Sequence, residues 1–381
     1  MMVDLSDYPI LNPLSCGRLT VDLEAFADNW RHLRDAVNQG DNPTECGAVI
    51  KADAYGITLE KAVETLSNAG CKTYFVATPE EGIRVRGLDI DASIYILNGL
   101  LSDCSILYKN NNLKPILNSI YEVKEWADNS DGHPAALHID TGMNRLGMRE
   151  DEARELAKDN DLIAKLNLSL LMSHLVCGDS PRSLMNGCQL SSFQEICTLF
   201  PAVDRSLCNS AGIFNGSAFH MDVVRPGIAL YGGAALKEHA DDNPMKPVVK
   251  AEGRILQIRE VKEHESVGYS AAEIVDRDRT IATVACGYAD GYIRRSGSTT
   301  KEKGAFAYIN GYKVPLVGHV SMDLIAIDVS DVPDVKRGDY VELFGPNISI
   351  SQLAGHAGTI DYEFLTSLGK RYARLYGPLG E

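Results

Sequence analysis

Between about Cys16 and Gly233 the chain repeats one pattern, a short apolar run followed by an amphipathic stretch. Such alternation is the mark of βα units wound around a parallel sheet. The apolar runs predict strands at 47–51, 73–77, 93–97, 114–117, 135–140, 168–173, 205–209 and 222–225. Helices are expected between them, at Leu59 to Ala69, Glu80 to Gly87, Ile120 to Asn129, Glu150 to Asp159 and Met185 to Leu199. Eight strands of this kind point to a TIM-type (β/α)8 barrel, whose active site belongs at the carboxyl ends of the strands.

The texture then changes. Lys237 to Pro244 is polar, ends in proline and reads as a linker. Beyond it, Gly253 to Ile258, Thr280 to Ala285, Ala305 to Ile309, Leu324 to Val329 and Tyr340 to Phe344 read as strands separated by glycine-rich turns. A length of 381 residues accommodates two domains, a barrel over 1–240 and a mostly β domain over 241–381. The strand-like Arg18 to Asp22 and the helix-like Leu23 to Val37 fit either domain, so residues 1–22 are open to assignment to the β domain.

A net charge of -15 argues against nucleic acid and anionic membranes as partners, since both are bound through clustered Lys and Arg. No apolar run is long enough to span a bilayer. Met1 to Asp7 carries acids and no basic segment ahead of an apolar core, so a secretory signal is not expected and the cytoplasm is. Nine cysteines occur without metal-ligand spacing, and Cys177, Cys208 and Cys286 sit in apolar or small-residue segments. Reduced, mostly buried thiols are expected, and no metal.

On a barrel, the polar residues that close the strands converge at one mouth. They are Lys51, His138 with Asp140, His174, Asn209 with Ser210, and Arg225. A lysine that ends an apolar run is open to desolvation, which lowers its pKa and frees its amine for Schiff-base chemistry. The small, glycine-bearing loops at Asn209 to Gly212 and Arg225 to Ile228 follow the last two strands, where this barrel class grips phosphate through backbone N–H groups.

Ala48-Val49-Ile50-Lys51-Ala52-Asp53-Ala54-Tyr55-Gly56 resembles the pyridoxal-phosphate lysine segment of alanine racemases. Ile139-Asp140-Thr141-Gly142-Met143-Asn144-Arg145-Leu146-Gly147 is similar to a further signature of that family. So are Asn209 to Ala211, Arg225 to Gly232, Gly287 to Tyr292, Val320 to Asp323 and Thr359 to Glu363, in the same order. The resemblance implies pyridoxal 5'-phosphate held by Lys51, with its phosphate bound by Tyr55, Ser210, the backbone at Gly227 and Ile228, and Tyr362. It adds Asn209 to the cofactor set, and it implies that Arg145 reaches both the cofactor and the substrate carboxylate. His174 is expected to pack on the pyridine ring and to link Arg225 to a catalytic tyrosine. Tyr269 matches that tyrosine, supplied with Met322 by a second subunit, so a homodimer is implied. Tyr288, Asp179 and Arg294 match residues around the pocket and its approach, and His319 is a departure near the substrate entry, where an arginine is common in the family.

The implied reaction interconverts L- and D-alanine by two bases on opposite faces of one carbon, Lys51 serving the D-enantiomer and Tyr269 the L-enantiomer, for cell-wall supply or alanine catabolism. A broader-specificity amino-acid racemase, a decarboxylase on the same two-domain plan and a non-catalytic cofactor carrier are the alternatives. Related decarboxylases have a glutamate where this chain has Arg225, and a guanidinium does not readily give a proton to the pyridine nitrogen. One departure stands out. Many relatives carry a carbamylated lysine where this chain has His138, so Arg145 is expected to need another partner, neutral His138, a carboxylate or chloride, since a buried guanidinium left unpaired costs several kcal/mol.

Overall fold

The computed structural model describes residues 15–40, 43–236 and 242–380. The Met1 to Asp7 segment and the Lys237 to Asp241 part of the expected linker lie outside them. Two compact units emerge, one containing Phe26–Leu230 with the flanking 234–245 segment, the other the described residues up to Ala25 with Tyr231–Gly233 and the chain from Lys246 onward.

The first unit is the barrel. Its parallel staves are Glu45–Cys46 continued by Ala48–Val49, then Thr73–Val76, Ser93–Ile96, Lys114–Leu117, Ala135–Asp140, Leu168–Met172, Asp204–Ser206 and Val223–Val224. As far as Asp204–Ser206 each pairs with the next in parallel register, Ala48 with Tyr74, Tyr74 with Ile94, Ile116 with Ala136, Leu137 with Leu171 and Leu170 with Asp204. Closure comes from the last stave, where Val223 and Val224 pair with Glu45 and Cys46. The staves are buried along most of their length, as both-faced burial of parallel strands requires.

Two expected helices, Leu59–Ala69 and Ile120–Asn129, appear with the bounds read from sequence. Others differ by local chemistry. The helix expected at Glu150 to Asp159 stops at Leu156, because Asp159 caps a separate helix, Asn160–Leu166, by accepting from Leu162 N at 2.9 Å. Glu80 to Gly87 extends to Pro79–Leu88, and the Met185 to Leu199 helix runs Leu184–Cys197. The strand expected at 47–51 ends at Val49, since the backbone turns left-handed after Lys51. The one expected at 205–209 ends at Ser206, leaving Asn209 in an isolated bridge to Arg225.

The second unit is built on an eight-stranded sheet whose longest strand, Val249–Val261, runs antiparallel to Gly17–Val21, Arg279–Ala285 and Tyr340–Phe344. The opening strand therefore belongs to the β sheet, where Gly17–Val21 also pairs in parallel with Tyr372–Tyr376. Val261, Val275, Ile281 and Val317 form part of its core. Cys46, Cys71, Cys197, Cys208 and Cys286 are buried free thiols, whereas Cys177 is only partly buried. Among the described residues no helix is long and apolar enough to cross a membrane.

Candidate active site

Lys51 follows the first stave and opens the turn Lys51–Tyr55. Ala52, Asp53, Ala54 and Tyr55 all hold positive φ, between 50° and 55°. An L-residue gives up roughly 1–2 kcal/mol in that conformation, so four in succession mark a segment held by its surroundings. The turn closes on Gly56, whose N–H reaches Ala52 O at 3.1 Å, and Thr58 N bonds Asp53 O at 3.1 Å. Lys51 is half-buried, and its pKa is lowered, first by desolvation and then by the charge of Arg145, with Glu81 opposing.

Arg225 is buried at the end of the last stave. Its guanidinium donates to Ser206 Oγ, to the Ser173 carbonyl at 2.6 Å and toward His174 Nδ1 at 3.4 Å, and lies 5.9 Å from the Phe75 ring centroid. Among the described residues no carboxylate pairs with it. Burial accordingly lowers its pKa to about 10, still far above neutrality. Desolvation together with the Arg225 and Arg145 charges drives the His174 pKa well below the usual imidazole range.

His138 is also neutral, its pKa pushed down to about 4 by burial and then by Arg225. Its Nδ1 meets Asn118 Oδ1 at 2.8 Å, and the same carboxamide donates from Nδ2 to Ile116 O at 2.8 Å. Asn118 must therefore accept, and Nδ1 of His138 carries the proton. Arg145 corrects one expectation: it is exposed, so no buried guanidinium has to be neutralised, and no described carboxylate pairs with it. The nearby Asp140 is occupied, accepting from Gly142 N, Met143 N and Asn144 N at 2.8–2.9 Å to shape the loop that carries Arg145.

Ser210 Oγ accepts from Gly227 N at 2.8 Å and Ala229 N at 3.3 Å, tying the last two loops together. A Cβ on Gly227 would stand 2.6 Å from the Tyr55 phenol oxygen, so only glycine lets the buried Tyr55 approach this backbone. The first amides of Ser210–Phe214 and Ile228–Tyr231 have no carbonyl of their own turn to bond. Asn209 is engaged as a cap, accepting from Gly212 N at 3.0 Å. A lysine with a lowered pKa, two arginines unpaired with acid, and a hydroxyl-and-amide cradle fit a phosphorylated aldehyde such as pyridoxal phosphate.

Asp179 lies in the loop after His174, within the barrel unit. Tyr269, Tyr288, Arg294, His319, Met322 and Tyr362 belong to the β unit. There Tyr269 opens a tight turn after Ser266–Val267 and is 68% exposed. Met322 is 54% and Tyr288 42% exposed. Their loops are joined, Tyr288 N bonding Ser321 O and Ala289 N bonding Met322 O at 3.0 Å. Arg294 donates to Val320 O at 3.2 Å, His319 lies beside Gly268, and Tyr362 sits in Asp361–Thr366.

Sequence reasoning missed Asn118, Ser173, Ser206 and Glu81. Asn118 directly follows a predicted strand and was open to the same strand-end argument as His138. Thr78-Pro79-Glu80-Glu81 is a legible capping box, but its reach to another loop is not.

The two expected halves have family counterparts. Residues 21–235 match the alanine racemase N-terminal domain and 248–376 the alanine racemase C-terminal domain. The chain is 45% identical to the biosynthetic alanine racemase of Agrobacterium fabrum, over 94% of this chain and 93% of that one. It is 46% identical to the alanine racemase of Rhizobium meliloti, over 94% and 96%. It is similar in structure to the alanine racemase of Bartonella henselae with covalently bound pyridoxal phosphate, at a TM-score of 0.88 and 38% identity, over 95% of this chain and 99% of that one. With both family domains matched in order across nearly its whole length, the chain belongs to the alanine racemase family.

Proposed function

We propose that this protein interconverts L- and D-alanine, with pyridoxal phosphate bound to Lys51, and so serves D-alanine supply or alanine breakdown. The observation that carries the reading is the half-buried Lys51, whose amine is shifted toward its free form by desolvation and Arg145 in a mouth where Arg225 has no acid partner among the described residues. When bound, pyridoxal phosphate withdraws electrons from the substrate amine's carbon and acidifies its Cα–H.

The chain's own residues do the rest. Tyr55, Ser210, Tyr362 and the backbone at Gly227 and Ile228 hold the phosphate, with Asn209 fixing the loop. Arg145 takes the substrate carboxylate, a charge-assisted contact that its exposed, acid-free guanidinium is free to make. Lys51 moves a proton at one face of Cα. Tyr269 of a second copy moves one at the other, and Met322 of that copy meets the carboxylate. Exposure of Tyr269, Met322 and Tyr288 supports a homodimer, since a second subunit would cover them. Asp179, Arg294 and His319 line the approach. Arg225, bonded to neutral groups and unable to lend a proton at pH 7, would leave the pyridine nitrogen unprotonated and so favour racemisation over transamination. The reading describes a cytoplasmic enzyme.

Chiral analysis of products from a panel of L-amino acids tests the reading. D-alanine from L-alanine, with borohydride fixing the cofactor to the Lys51 peptide, is the expected result. Labelling of another lysine, or no racemisation, overturns it.

A further inference from the structure

Glu81 stands at the third position of helix Pro79–Leu88, and its carboxylate serves two loops at once. Oε2 accepts from Ala77 N at 2.9 Å and Thr78 N at 3.4 Å, closing the capping box of its own helix. Oε1 crosses to the preceding barrel loop and accepts from Ala52 N at 2.6 Å and Asp53 N at 3.3 Å. Those amides directly follow Lys51 and open the left-handed segment. Asp53 extends the clamp, since its carboxylate accepts from Leu59 N at 3.1 Å and pairs with Arg84 at 2.8 Å, which also binds Glu60. A run of four disfavoured residues persists only where neighbouring groups over-determine it. Glu81 is the side chain that fixes its first two amides.

We propose that Glu81 is a positioning residue for Lys51, its carboxylate holding the left-handed turn that presents the lysine amine and contributing a negative charge to its surroundings. The assignment rests on the reading of Lys51 as the cofactor lysine. The charged and titratable groups that act on Lys51 are Arg145, which favours the free amine, Glu81, which favours the ammonium, and His174, which is neutral. Removing the Glu81 charge therefore lowers the pH at which the amine becomes free. Glutamine is no conservative replacement here, because its oxygen can serve one loop while its NH2 faces donor N–H groups of the other.

The test uses the full chain and pyridoxal phosphate, with Glu81→Gln, Glu81→Asp and, as a stability control, Asp159→Ala, which strips the N-cap from helix Asn160–Leu166. Three quantities are read: kcat and KM for L-alanine, the pH profile of cofactor capture by Lys51 after borohydride trapping, and the unfolding midpoint. Glu81→Gln is expected to lower kcat roughly 100-fold with KM changed by less than about threefold, and to move the acid limb of capture to lower pH. Glu81→Asp should keep the acid limb near its original position and recover part of kcat. An unmoved acid limb in Glu81→Gln, with kcat loss no greater than in Asp159→Ala at equal loss of midpoint, overturns the proposal. If Glu81→Gln does not fold, Glu81→Asp decides by the same comparison, a kcat loss beyond that of Asp159→Ala supporting the proposal and an equal loss overturning it. A parent protein that captures no cofactor at Lys51 overturns the site reading first and this assignment with it; normal capture with control-like Glu81 variants overturns this assignment alone.

Discussion

Nδ1 of His174 lies 3.4 Å from the Arg225 guanidinium, which can only donate, so this ring nitrogen is an acceptor and the proton of the neutral imidazole sits on Nε2. His174 thus has a donor left for another group, and Arg225 is the largest charged contributor to its low pKa after desolvation. In Arg225→Gln the His174 imidazole should titrate at higher pH than in the parent, although burial keeps it below the free value. The imidazole resonances followed by NMR against pH check this. An unchanged titration would show that Arg225 does not set the proton state of His174.

The same depression has a stability consequence. His174 and His138 bind protons more weakly folded than unfolded, so the unfolded chain takes up more protons as acid is added. Their contribution is complete above the unfolded histidine pKa of about 6.5. For His138 it is lost as pH falls from there toward about 4. Denaturant midpoints between pH 7 and 4 should therefore fall. His138→Asn should flatten part of that slope, which a pH series on both proteins would reveal.

Gly227 offers a test of the phosphate cradle. Its missing Cβ leaves room for the Tyr55 phenol, and Gly227→Ala would put a carbon 2.6 Å from that oxygen. Displacing a buried tyrosine costs about 1–3 kcal/mol. Gly227→Ala should lower the unfolding midpoint and weaken pyridoxal-phosphate retention on dialysis, with a smaller effect on alanine KM at saturating cofactor. Retention equal to the parent's would remove Tyr55 and Gly227 from the cradle.

Much of this was legible in the sequence because barrels convert one-dimensional order into convergence. Lys51, His174 and Arg225 each end an apolar run, His138 lies two residues before the end of one, and strand ends in a barrel share a mouth. The departures have physical reasons. Nothing in Ala52-Asp53-Ala54-Tyr55 announces a left-handed turn, since none is glycine and the first two amides are held by Glu81, on the helix that follows the next stave. Arg145 was expected to need a buried partner, yet in the single chain it is exposed, on a loop that Asp140 shapes through its amides. The cap at Asp159 is a local signal that an acidic, helix-favouring run concealed.

The shared-site reading makes a prediction about mixtures. Lys51→Ala and Tyr269→Phe chains should each be nearly inactive with L-alanine, yet a hybrid dimer contains one site with both native groups. Mixing them under conditions of demonstrated subunit exchange should restore roughly a quarter of parental activity, since half the dimers are hybrids with one intact site of two. Solvent hydrogen exchange should also differ, Tyr269→Phe losing exchange from L-alanine more than from D-alanine. No recovery with exchange shown, or equal loss from both enantiomers, would refute the division of labour.

The last prediction concerns His138, which stands where many relatives carry a carbamylated lysine. With Nδ1–H given to Asn118, the remaining Nε2 is a lone-pair acceptor, and depression of the pKa to about 4 keeps it so at neutral pH. A neutral acceptor carries no fixed negative charge. Because Arg145 is exposed, water and dissolved anions can satisfy its guanidinium in place of a carbamate, and screening weakens any single partner. Activity should therefore be independent of bicarbonate and respond to chloride, which would compete with the substrate carboxylate and raise alanine KM more than it lowers kcat. His138→Ala should frustrate the Asn118 carboxamide, which loses its imidazole donor, and disturb the neighbouring loop, raising KM for alanine more than it weakens cofactor binding. Steady-state kinetics across chloride and bicarbonate series, on parent and variant, check both statements. Bicarbonate activation, a carbamylated lysine beside Arg145, or unchanged kinetics in His138→Ala would overturn them.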